Sequence, residues 1–148
     1  MISKKTGAEI ALNIQYLKAL SFDNIKAPHV YTYQDLKPDI NVSLDLNATK
    51  LQKDVYEVEI TINVDAKNNE ESLFTIELIY AGIFTIKNVA DNLIQENLFI
   101  DCPTIIFPFA RRMISDITRD ANLPSLNLDI VDFEQLYNSK KETLQNAK

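Results

Sequence analysis

His29, Cys102 and a set of alternating carboxylates are the side chains in this sequence whose types could do chemistry, and their spacing limits what that chemistry is. His29 is the only histidine and stands between Pro28 and Val30. An imidazole titrates near neutrality and can act as a general base. It would need a nucleophile to activate, and no serine or cysteine near it in sequence sits in a recognisable motif. A hydrogen bond that fixes its loop is the favoured role. Cys102 is the only cysteine and abuts Pro103 in apolar surroundings, which suits a buried, inert thiol. One cysteine and one histidine do not make a structural zinc site. Glu57, Glu59, Asp65 and Glu77 could form an acid–base pair or a metal site, but they alternate with apolar residues. That period of two puts them on the sheet face away from the core, where solvated charge is the default and docking of a basic partner is the sharper option. Glycine occurs only at Gly7 and Gly82, which excludes a glycine-rich phosphate cradle.

Apolar chemistry is better represented. The run Phe99-Ile100-Asp101-Cys102-Pro103-Thr104-Ile105-Ile106-Phe107-Pro108-Phe109-Ala110-Arg111 sets two prolines and three phenylalanines at the approach to an amphipathic helix. Proline suits a helix's first turn, so Pro103 or Pro108 is expected to mark its start. Tyr31 and Tyr33 lie in a connection bracketed by Pro28 and Pro38, where aromatic rings are well placed to line a groove. Much apolar surface beside a helix start, without a catalytic motif, points to a surface that grips other chains.

The elements that must position these residues follow from periodicity. Four stretches alternate with period two: Ile10 to Tyr16, running on to Phe22; Ile40 to Leu46; Tyr56 to Val64; and Phe74 to Tyr80. Each reads as a half-buried strand. Lys67-Asn68-Asn69-Glu70 joins the third and fourth as a hairpin. The stretch 27–38 is too long for a tight turn and reads as a Greek-key crossover. Residues 91–98 read as a short helical turn. From Pro108 onward Phe109, Ala110, Met113, Ile114 and Ile117 have helical spacing, and Asn122 to Pro124 ends that helix. Asp132 caps a last helix, with Gln135 as capping-box partner, and Phe133, Leu136, Tyr137 and Leu144 form its apolar side. The fold class expected is α+β: a four-stranded antiparallel sheet with a long and a C-terminal helix packed on one side. Residues 1–148 form a single domain, with 1–7 and 145–148 flexible. In the fourth strand Leu73 and Ile79 add bulk to the face opposite Phe74 and Leu78, which makes them candidates for burial against another subunit. The chain carries 46% hydrophobic residues and a formal charge of −6. The apolar share supports a sizeable core, and the acidic balance disfavours nucleic acid. A lone cysteine fits a reducing compartment. Neither a signal-peptide h-region nor a membrane-spanning run is present, so a cytosolic protein is expected.

The matching residues then extend beyond single motifs. Over nearly its whole length the chain resembles the SecB family of protein-export chaperones, through Leu20-Ser21-Phe22-Asp23, Ala27-Pro28-His29-Val30, Asp54-Val55-Tyr56-Glu57-Val58, Gly82-Ile83-Phe84, Cys102-Pro103, Phe107-Pro108-Phe109-Ala110-Arg111 and Leu123-Pro124-Ser125-Leu126-Asn127-Leu128. The resemblance implies a homotetramer built as a dimer of dimers. It implies a bacterial cytoplasmic chaperone, not an enzyme, that uses no ATP, metal or other cofactor. Such a chaperone holds unfolded precursors translocation-competent and delivers them to SecA. It implies a peptide-binding groove between the crossover and the last helix with its preceding loop, walled by Tyr31, Tyr33, Leu36, Leu126, Leu128, Ile130, Phe133 and Tyr137. It also implies SecA docking at Asp23 and Glu77 on the outer sheet face, where Ala19 and Thr75 depart from the acid and the leucine that relatives often carry. The alternative from another class is a small-molecule enzyme on a thioesterase-like sheet-and-long-helix dimer. That reading needs a polar catalytic group at the helix start, where this chain has Phe107-Pro108-Phe109.

Overall fold

The computed structural model describes the backbone of residues 2–3 and 8–146 and the side chains of 8–141. The strands are β1 (Ile2–Ser3), β2 (Glu9–Asp23), β3 (Asp39–Gln52), β4 (Val55–Asn68) and β5 (Glu71–Lys87). They form one antiparallel sheet in the order β1-β2-β5-β4-β3. The four long strands are those expected, and the crossover from β2 to β3 makes the Greek key. β1 is an addition: two residues that pair with Ile10 and Ala11 at the open edge of β2. The expected flexible ends fall largely outside the described residues, apart from Ile2 and Ser3 in β1 and the backbone of the last helix to Asn146.

The strands outrun their apolar alternation. β3 continues past Leu46 to Gln52, because a two-residue turn at Lys53 and Asp54 lets the added residues pair with β4, all but Leu51, which bulges between Lys50 and Gln52; Asp54 takes φ 62 there. The β4–β5 turn uses Asn69 and Glu70 at φ 51 and 71. Both central residues are left-handed, as a tight hairpin twisted with its strands requires. β2 departs from its alternation in another way. Irregularities between Leu12 and Ile14, and between Leu17 and Ala19, shift its phase. Ile10 and Leu12 face the helices, whereas Ile14 pairs with Ile83 on the outer face and is 56% exposed.

One long helical stretch crosses the sheet. It opens with α1 (Ile94–Glu96), widens into a π-turn at Asn97–Asp101 and continues as α2 (Cys102–Asp120). The helix thus starts before either proline. Pro103 occupies the first turn of α2, and the widened turn before it gives its ring room. Pro108 lies inside the helix on its exposed side, where the carbonyl deprived of a partner can meet solvent. Cys102, Ile106, Ala110, Ile114 and Thr118 recur every fourth residue, and all are fully buried. All but Thr118 share one buried core with Val58, Ile60, Leu78, Tyr80 and Phe84 of the sheet. The end of α2 is as expected: Asn122 turns left-handed at φ 59, its N–H donates to Arg119 O (2.9 Å), and Leu123 N–H donates to Thr118 O (3.0 Å). α3 (Phe133–Asn146) begins where Asp132 Oδ1 accepts the Gln135 N–H at 3.1 Å.

Gly82 sets the depth of the helix–sheet contact. It lies in β5 on the face below α2, and a Cβ there would stand 2.9 Å from Phe84, 3.1 Å from Leu12 and 3.2 Å from Ile106. Its missing side chain lets Ile106 reach the sheet. Gly82→Val is expected to destabilise the chain by about 1–3 kcal/mol through overpacking; an unchanged urea midpoint would contradict this packing.

Candidate functional site

β3 is an edge strand. On its helix side Val42, Leu44 and Leu46 stand opposite Val64, Ile62 and Ile60 of β4. Those β4 residues are buried, whereas Val42 is 46% exposed. An open pocket of about 360 Å³ lies against this stripe, lined by Val42, Leu44, Phe107, Leu128, Asp129, Val131 and Leu136. A second, of about 150 Å³, is lined by Leu46, Phe99, Leu136, Tyr137 and Lys140. Leu136 belongs to both, so together they form an apolar trough along the edge strand. Its floor is held by ring contacts: Phe107 meets Phe133 edge-on at 5.7 Å between centroids, and Phe99 stacks on Tyr137 at 6.4 Å.

The structure redistributes the expected groove. Of the residues expected to wall a groove, Leu128 and Tyr137 line this trough. Phe133 is only 2% exposed and supports it from the core, so it is not a free wall residue. Leu36 and Leu126 are half-buried and pack against the core. Ile130 is 84% exposed beside the trough. Tyr31 sits at the far end of α2, where its hydroxyl donates to Ala121 O and accepts from Asn24 Nδ2 at 2.8 Å. Tyr33 remains exposed. Sequence reasoning missed Val42, Leu44, Leu46, Phe99, Phe107, Val131 and Leu136 as wall residues. The β3 alternation carried part of that signal, but only the strand order shows that β3 is an edge.

The outer face is polar. Asp23 pairs with Thr75 and Ser21 with Glu77, so the two expected docking carboxylates sit on neighbouring strands, two positions apart and both exposed. An open trough of about 430 Å³ on this face touches Ser21, Ser43, Asn63, Asp65, Thr75 and Glu77. Asp65 accepts from Ser72 Oγ at 2.8 Å. Glu57 and Glu59 are committed elsewhere. Both pair with Lys18, and Glu57 also accepts from the Tyr16 hydroxyl. The hydrogen bond from Tyr16 holds the Glu57 carboxyl below its ordinary range, while burial, with the Glu57 contact, pushes the Tyr16 hydroxyl up to about 12. The bonds to Glu59 and Glu57 raise the Lys18 ammonium. Two carboxylates share one ammonium here, so the cluster keeps a net negative charge. Ile79 is half-buried on the same face between Ala19 and Thr61. Leu73 is 1% exposed within the chain, beneath the loop in which Lys26 N–H donates to Leu73 O at 3.3 Å. It has no surface left for a second subunit, which corrects the expectation drawn from its strand position.

Cys102 is fully buried, and burial, together with the nearby Asp101 charge, pushes its thiol far above the ordinary range, so it stays protonated. His29 is exposed, and the hydrogen bond at this residue is one its carbonyl accepts from Thr32 Oγ1 at 2.7 Å. Among the described residues no group of three or more His, Cys, Asp or Glu could hold a metal ion, and no helix is long and apolar enough to cross a membrane.

Comparison with known proteins gives the lineage. The family model for SecB, described as preprotein translocase subunit SecB, matches residues 3–144. The protein-export protein SecB of Zymomonas mobilis is 42% identical over 90% of this chain and 81% of its own length. That of Rickettsia akari is 43% identical over 93% of this chain and 91% of its own. A Mycobacterium tuberculosis SecB-like chaperone, solved in complex with a ChAD peptide from an antitoxin, superposes with a TM-score of 0.69 at 14% identity, covering 82% of this chain and 90% of the other. That likeness speaks for the fold. With the family match and the curated relatives, it leads to one conclusion: this chain belongs to the SecB family of protein-export proteins.

Proposed function

We propose that this chain is an ATP-independent chaperone that binds unfolded precursor polypeptides in its apolar trough, keeps them translocation-competent in the bacterial cytoplasm and delivers them to SecA. The observation that carries the reading is the open trough along β3, walled by Val42, Leu44, Phe107, Leu128, Val131 and Leu136, with Asp129 at its margin. Family membership supports the export role. Such a site suits extended chain of varied sequence. Apolar side chains gain about 1.5–3 kcal/mol each on burial, before ordering costs, and the lining is mostly apolar, with Asp129 and Lys140 its charged members. Binding the unfolded state and not the folded one opposes folding by mass action, without nucleotide.

Self-association as a homotetrameric dimer of dimers is part of the reading. Ile14, Leu17 and Leu20 of β2 are 56%, 43% and 42% exposed along an edge that β1 covers only at Ile10 and Ala11. These exposed side chains, with Ile79, are the better candidates for contact with another subunit. SecA docks in this account on the outer face at Asp23 and Glu77, where exposed acids suit a basic partner.

Substoichiometric chaperone should suppress the light scattering of an aggregating, unrelated refolding protein without nucleotide. Val42→Asp should weaken that suppression about tenfold, because it sets a charge in the trough. No suppression by a molar excess of the unaltered protein would reject the holdase reading. Asp23→Lys combined with Glu77→Lys should weaken SecA binding at low salt while sparing unfolded-chain binding; unchanged SecA affinity would remove the docking assignment.

A further inference from the structure

Between α2 and α3 the chain runs back along α2 as a strap, residues 122–131, without regular structure. Its last part carries Leu128, Asp129 and Val131, which wall the apolar trough. From residue 124 to 131 it makes no backbone–backbone hydrogen bond among the described residues. Side chains of α2 hold it instead, at positions spaced along one side of the helix. Nearest the helix end, the buried Thr118 hydroxyl accepts the Leu126 N–H at 2.9 Å and is itself oriented by donating to Ile114 O at 3.0 Å. One turn earlier, Ser115 Oγ meets Ser125 Oγ at 2.9 Å and Asn127 Oδ1 at 3.1 Å. One turn earlier again, Arg111 Nε donates to Leu128 O. Arg111 is thus the last rung before the trough.

We propose that Arg111 is a positioning residue for unfolded-chain binding: its hydrogen bond to the Leu128 carbonyl fixes the strap as the trough wall, with Ser115 and Thr118 as supporting rungs. The inference rests on the chaperone reading above. Beyond Arg111 no side-chain rung to 129–131 is seen among the described residues, and Leu128 is placed by this contact and by its own packing. Leu128 is 7% exposed, its side chain turned inward and its carbonyl held toward α2. A guanidinium suits the task, since its N–H donors have a fixed geometry and charge-assisted bonds are the stronger kind. Losing the rung frees the wall and should show first in the escape of bound chain, because changes at one interface act mostly on dissociation.

The test compares the unaltered protein with Arg111→Met, which keeps the aliphatic stem, and Arg111→Lys, which restores a cationic donor. The probe is fluorescent, reduced and carboxamidomethylated α-lactalbumin, a permanently unfolded chain. Arg111→Met should release the probe about five- to tenfold faster, the size of one hydrogen bond's net contribution, and Arg111→Lys should recover most of the loss. Amide exchange in the free protein should quicken at Leu126, whose N–H the Thr118 hydroxyl holds, in Arg111→Met, while the α2 amides hold and the urea midpoint falls by no more than the loss of one hydrogen bond. A purely structural role would move the midpoint and leave probe release unchanged in the folded protein. Should Arg111→Met fail to fold, Ser115→Ala breaks the neighbouring rung and should move strap exchange and probe release in the same direction. Unchanged probe release, or unchanged strap exchange, overturns the proposal. Failure of the unaltered protein to capture the probe overturns the chaperone reading and this inference with it, whereas normal capture with unaltered release from the variant overturns this inference alone.

Discussion

One helix cannot cover four strands. Strands at a spacing of about 4.8 Å make a sheet roughly 15–20 Å wide, whereas a helix with its side chains is about 10–12 Å across. α2 lies over β5 and β4 and reaches β2, pinned at depth by the gap that Gly82 leaves for Ile106. The helix-side face of β3 is therefore left to smaller elements: the π-turn, the strap and the start of α3. They do not close over it. The apolar trough is what remains uncovered, and its position follows from where the helix is pinned.

The same constraint divides the molecule by chemistry. The helix side holds apolar surface and an incompletely covered edge. The outer side holds exposed Asp23 and Glu77, with Glu57 and Glu59 both paired to Lys18. A chaperone that must hold one chain and hand it to another partner gains from having two unlike faces, since contact at one need not displace the other. The strap links the trough to the far end of α2, where Tyr31 from the crossover reaches Ala121.

Much of this was legible in the sequence because it is local. Strand periods, the hairpin at 67–70, the stop at Asn122 and the Asp132 cap are written in neighbouring residues, and all appear in the fold. What was not legible depends on long-range pairing. Ile14 changes face through a register shift against β5 that no period-two pattern can announce. Pro108 inside a helix looks like a start until the turns before it prove helical. Leu73 reads as unpartnered until the 24–28 loop is seen over it. The trough was half legible: its place by the last helix was expected from family resemblance, whereas its β3 wall depends on strand order, and Phe133 supports it from beneath.

Neighbouring positions on β3 offer the sharpest test of the central claim. Val42 faces the trough, and Ser43, next in the chain, points to the outer face. A photo-crosslinking amino acid placed at position 42 should capture an unfolded, alkylated probe protein, and the same group at position 43 should capture far less. Equal capture at both positions, or capture at position 43 alone, would contradict an account in which unfolded chain lies in the apolar trough between the edge strand and the strap.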